Sequence, residues 1–128
     1  MTEDQAQRPH LPRAAPIDAY GKGGFRFADL SHRGSLLCLP NGIWASPVSD
    51  PTEITEAALA LVFANAQAID HCLIGTGIDM VPLAPGLRET FRAHKIVAET
   101  MATGAAVRTY NILLGERRRV AALLIAVP

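Results

Sequence analysis

Two short stretches of this 128-residue chain bring together residue types from which a ligand site could be built. The first is Leu73-Ile74-Gly75-Thr76-Gly77-Ile78-Asp79. An apolar run ending in a glycine-flanked threonine reads as a strand meeting a loop, and α/β folds collect ligands at the carboxyl ends of strands. Glycines there let the backbone approach a phosphate or ribose, and successive N–H groups can cradle an anion. The stretch stops short of a dinucleotide fingerprint: the third glycine is missing, Met80-Val81-Pro82 stands where a helix should open, and no Walker lysine is present. A tight strand-to-loop turn accounts for the same glycines.

The second stretch is Thr103-Gly104-Ala105-Ala106-Val107-Arg108-Thr109-Tyr110-Asn111. Thr103 suits a helix cap, and a helix start made of small residues can receive an anion. Asn111 falls four residues after Val107 and three before Leu114, on one helical face. Its amide therefore needs hydrogen-bond partners, either a loop backbone or a ligand. Arg108 and Tyr110 sit on other faces and could reach a pocket rim.

Other chemistry is not legible. His10, His32, His71 and His94 form no HxH, HxxH or HExxH spacing, so no metal is expected. No carboxylate pair is spaced for acid–base work, and no G-x-S-x-G elbow occurs. Cys38 and Cys72 lie far apart in strand-like segments and read as buried reduced thiols, which suits a reducing compartment. Arg117-Arg118-Arg119 gives residues 104–128 four arginines against Glu116, a local +3. It reads as a solvated turn or as a docking patch for an acidic partner. The whole chain balances twelve basic against twelve acidic residues, which gives no argument for nucleic acid.

The elements that must position these residues follow from pattern. Residues 1–16 carry Pro9, Pro12 and Pro16 with few aliphatics, and are expected as a disordered or loosely attached tail. Residues 17–128 form one α/β domain. Its front part reads as a β meander: Ile17–Tyr20, a Gly21–Gly24 turn, Phe25–Phe27, then Ser35–Leu39 and Ile43–Ala45 joined by a Pro40-Asn41-Gly42 hairpin of type I′. Asp50, Pro51 and Glu53 signal a helix start, with Ile54, Ala58, Leu61, Val62 and Asn65 at helical spacing. His71–Ile74, Ile96–Thr100 and Val120–Ala126 read as strands. Helices open at Pro85, with Leu87 and Phe91 on one face, and after Thr103, running to Glu116. This alternation predicts a sheet with helices on both faces, mostly parallel where the connections are right-handed crossovers. The acidic start shows no secretory signal, and the longest apolar run, Val120–Val127, is too short to span a bilayer. A cytoplasmic location is expected.

Phe25-Arg26-Phe27, Pro40-Asn41-Gly42-Ile43-Trp44, Leu73–Gly77 and Thr103–Asn111, in this order and spacing, resemble the Mth-type domain family. That family includes an adipogenesis-associated protein and a mitochondrial respiratory complex I assembly factor. The resemblance covers Ile17 to Val127 and implies a three-layer α/β sandwich with a central mixed sheet and no agreed catalytic residues or cofactor. The expected function is a non-catalytic, protein-binding assembly module for respiratory or membrane-protein complexes. The alternative is an anion-binding protein or minor enzyme with its pocket between Gly75–Asp79 and the Thr103 helix start. The candidate surface in both cases is Gly75, Thr76, Gly77, Asp79, Thr103, Gly104, Arg108, Tyr110 and Asn111.

Overall fold

The computed structural model describes residues 8–128. Five strands open the chain: β1 (Ala19–Gly21), β2 (Gly24–Phe27), β3 (Leu30–Arg33), β4 (Ser35–Leu39) and β5 (Gly42–Ser46). A 3-10 turn at Pro51–Glu53 follows, then α1 (Ala60–Ala64), a second 3-10 turn at Ala66–Ala68, β6 (His71–Gly75), α2 (Pro85–Ala93), β7 (Val97–Met101), α3 (Thr103–Gly115) and β8 (Val120–Leu124).

The first three strands form an antiparallel sheet of their own. The other five form a mixed sheet in the order β5-β4-β8-β6-β7, antiparallel from β5 to β8 and parallel from β8 to β7. Alternation along each strand divides the core into two. Leu36, Cys38, Leu73 and Leu124 face the small sheet and α3, where Phe25, Phe27, Ala106 and Tyr110 are buried. Leu37, Leu39, Ile74 and Leu123 face α1 and α2, where Leu59, Val62, Leu87 and Phe91 are buried. The expected α/β sandwich with a mixed central sheet is the observed one. Cys38 and Cys72 are buried thiols on opposite sides of the sheet. Burial pushes both up to about 12.

Three local expectations change. Strand β3 was not anticipated, because Ala28 and Asp29 form a two-residue hairpin loop with φ of 48° and 64°. Neither residue advertises positive φ as glycine would. The Pro40–Asn41 hairpin is present between Leu39 and Gly42, but not as type I′. Proline at the first loop position locks φ negative, which that turn forbids. The helix expected from Asp50 breaks early. Asp50 and Glu53 make a full capping box, yet Ile54 turns extended at φ −78° and ψ 96°. Thr55 Oγ1 then accepts from Ala58 N at 3.2 Å and starts a second turn.

Of the expected tail, residues 1–7 lie outside the described residues. Residues 8–16 have no helix or strand, but they are fastened to the domain. His10 N donates to Ile43 O at 2.7 Å and Ile43 N donates to Leu11 O at 2.9 Å. Ala15 is buried in the core beside α3.

Candidate functional site

The loop after β6 and the first turn of α3 do emerge together, at the carboxyl ends of the parallel strands. Gly75 and Thr103 make this possible. A Cβ on Gly75 would lie 3.0 Å from Thr103 Cα and 3.2 Å from Ala106 Cβ, so a side chain here would press α3 a few tenths of an ångström away from β6. Thr103 is fully buried. Its hydroxyl donates to Ile125 O at 2.7 Å and accepts from Gly77 N at 3.0 Å, while its amide donates to Gly77 O at 2.8 Å. One side chain thus joins the β6 loop, the helix start and the end of β8. Thr103 serves as this link rather than as a cap: Ala102 holds the cap position and no side chain caps α3.

Thr76 does the same for the loop itself. Its amide donates to Met101 O at 2.8 Å. Its hydroxyl accepts from Val81 N at 3.0 Å and lies 2.6 Å from Asp79 O and 3.1 Å from Met101 O, either of which can take its proton. Gly77, at φ 107°, supplies the left-handed turn the loop needs. Held in this way, the loop presents Ile78, 71% exposed, with Met80 and Val81 also exposed. These are large apolar side chains on a fixed backbone.

Beside the loop lies a depression of about 380 Å³ lined by Tyr20, Gly77, Ile78, Gly104, Ala105 and Arg108, among others. The Tyr20 hydroxyl lies over Gly104, where a Cβ would collide with it. Two further hollows meet the same loop. One of about 400 Å³ reaches Asp50, Thr76, Gly77, Ile78 and Asp79, and one of about 250 Å³ reaches Ile54, Thr76, Val81, Leu87 and Thr100.

Gly77, Gly104 and Arg108 therefore share one hollow, and Thr76, Gly77 and Asp79 share its neighbour. Gly75 and Thr103 lie beneath them. Tyr110 and Asn111 stand apart. Tyr110 is buried, its hydroxyl donating to Ala15 O at 3.2 Å, and burial pushes its pKa upward. Asn111 Oδ1 accepts from Ile17 N and its Nδ2 donates to Ile17 O, both at 2.8 Å. Both side chains tie the N-terminal segment to α3. Ile78, Met80, Val81 and Tyr20 were missed, although an apolar Met80-Val81 pair in a segment read as a loop was a visible signal.

A larger hollow, about 810 Å³, is at the opposite ends of the strands, between Phe63, Ile69, Asp70, His94, Lys95 and Arg119. There Arg119 grips Asp70 through Nη2 at 2.6 Å and Nε at 3.1 Å, which holds the Asp70 carboxyl below its ordinary value. Arg119 of the arginine turn is thus a structural pair member. Among the described residues, no group of three metal-ligating side chains occurs, and no helix is long and apolar enough to cross a membrane.

Comparison with known proteins agrees with this architecture. The chain is 40% identical over 122 residues to an uncharacterized protein of Rhodobacter capsulatus, covering 95% of this chain and 93% of that one. It is 30% identical to the mouse NADH dehydrogenase (ubiquinone) 1 alpha subcomplex assembly factor 3, covering 92% of this chain but 64% of that longer protein. A crystal structure from Bartonella henselae, described as an outer membrane protein, superposes with a TM-score of 0.90 at 50% identity, over 93% of this chain and all of that one. A Bordetella pertussis protein described as a Mth938-like domain superposes with a TM-score of 0.78 at 26% identity, over 94% and 92% of the two chains. Residues 17–125 match a single family model, and on that span the chain belongs to the family described as proteins of unknown function, DUF498/DUF598, whose structures include Mth938-like domains.

Proposed function

We propose that this chain is a non-catalytic, protein-binding assembly module, acting in the cytoplasm on a respiratory or other membrane-protein complex, with its partner surface at the loop after β6. The observation that carries this reading is the loop itself. Ile78, Met80 and Val81 are held outward by the hydrogen bonds of Thr76 and Thr103 rather than collapsed onto the core. Ordered, exposed apolar side chains grouped together are what a docking site presents. Kinship with an NADH dehydrogenase assembly factor supports this class of client. Two buried thiols suit a reducing compartment.

The anion reading has Arg108 and an uncapped helix start in its favour. It is weakened because the Thr103 amide, one of the donors an anion would need, already serves Gly77 O.

The test is genetic and biochemical. A strain lacking the chain should lose assembled NADH dehydrogenase on native gels. Wild type should restore it, and the Ile78→Asp, Met80→Asp double variant should not, at equal abundance and unchanged melting. Full rescue by the double variant would move the partner surface elsewhere. Saturable phosphate-induced shifts of the Gly104 and Ala105 amides would instead favour the anion site.

A further inference from the structure

The five-stranded sheet ends in two different ways. At β5 the chain covers its own edge, through the hydrogen bonds between Ile43 and residues 10–11. At β7 no further strand follows among the described residues. Its inner side is fully engaged: β7 runs parallel to β6, Val97 N donates to Asp70 O at 2.9 Å, and Met101 O accepts from Thr76 N at 2.8 Å. Backbone alternation then turns the N–H and C=O groups of Ala98 and Thr100 outward. Proteins blunt such edges with proline, lysine or a bulge. β7 has no proline or lysine, its register with β6 is unbroken, and its one charged side chain is Glu99.

Apolar side chains flank this open row. Val97, Glu99 and Met101 share the side toward α3, where Met101 Sδ lies 3.6 Å from Thr109 Oγ1. Val97 is 56% exposed, and Ile112, one turn beyond Thr109 on α3, is 61% exposed. On the other side the Thr100 hydroxyl donates to exposed Met80 Sδ at 3.5 Å.

We propose that the β7 edge accepts an extended segment of a partner protein as a sixth, antiparallel strand. That segment carries a basic side chain opposite Glu99 and apolar side chains two residues to either side of it. Glu99 decides against a second copy of this chain. Twofold pairing that uses both Ala98 and Thr100 of each copy sets Glu99 directly against Glu99, with Cβ atoms about 5 Å apart, and like charges so placed repel. A lysine or arginine there forms a cross-strand ion pair. Its apolar neighbours at two-residue spacing lie over Val97 and Met101, on the side of Ile112. This surface stands independently of the assembly reading.

The probes are two synthetic heptapeptides, TVTKTVT and TVTETVT, added to the full chain and followed by amide exchange and chemical shift. TVTKTVT should slow exchange at Ala98 and Thr100 by about tenfold or more, and bind about fivefold more tightly than TVTETVT. Glu99→Lys should reverse that preference. Ala98→Pro removes an outward N–H at an edge position and should abolish protection at unchanged circular dichroism. The proposal falls if millimolar TVTKTVT protects neither amide, if wild type binds both peptides equally, or if Ala98 and Thr100 become protected with rising protein concentration alone, which would mean a second copy.

Discussion

On the α3 face of the sheet, side-chain hydrogen bonds tie α3 to segments distant in the chain. Asn111 holds both backbone groups of Ile17, Tyr110 reaches Ala15, and Thr103 reaches Ile125. On the α1–α2 face the layer is made of short pieces, and its packing is apolar, with Phe63 and Phe91 rings 4.9 Å apart beneath it. The difference is one of specification. Apolar packing tolerates a broken helix provided that Leu59 and Val62 stay buried, because burial is non-directional. Directed hydrogen bonds allow one placement of α3, and that placement fixes the depression and the loop beside it.

Substitutions should separate the two faces. The largest loss is expected at Phe91→Ala, about 3–5 kcal/mol in denaturant titration, with amide protection on α3 surviving longest. If α3 loses protection first, the faces do not differ as described. Thr103→Val preserves shape but leaves Gly77 N and Ile125 O without their partner, at a total of about 1–3 kcal/mol. It should also broaden loop resonances from Gly77 to Val81, whereas Phe91→Ala should not. Asn111→Leu should cost about 1–3 kcal/mol and free residues 8–17 to proteolysis. A neutral, protease-resistant Asn111→Leu would show that the clasp adds nothing.

The smallest effect is a pH dependence carried by His32 on β3. His32 has its pKa lowered, by burial first and then by the nearby His10. Protons therefore bind the unfolded chain better, so stability is intact above the ordinary value of 6.5 and declines as pH falls through it. His32→Asn should flatten that decline in melting curves taken between about pH 7.5 and 5.5.

Much of this was legible because pattern and tertiary demand agree. Leu87 and Phe91 lie four residues apart and are buried together, and Asn111 on an apolar helical face found backbone partners as a half-buried amide must. What pattern could not show was set by context. Ala28 and Asp29 take positive φ only because the strands they join are held by Phe25 and Phe27 in the core. The exposure of Ile78 and Met80 follows from hydrogen bonds made by Thr76 to residues as far along the chain as Met101. Tyr110 and Asn111 sit in the same stretch as Arg108, yet helical geometry turns them toward the N-terminal segment and Arg108 toward solvent.

The last strand of this domain in chain order, β8, sits in the middle of the five-stranded sheet, between β4 and β6, with every residue buried. Until Val120–Leu124 leaves the ribosome, β4 and β6 each have a bare edge and neither core half can close. Folding must therefore wait for the end of the domain to be made, and the long-range pairings that complete it favour slow rather than microsecond folding. A nascent or truncated chain ending before Val120 would expose two apolar strands side by side, a template for self-association that natural sheets avoid presenting. For such a chain, holding by a chaperone during synthesis matters more than any gain in final stability.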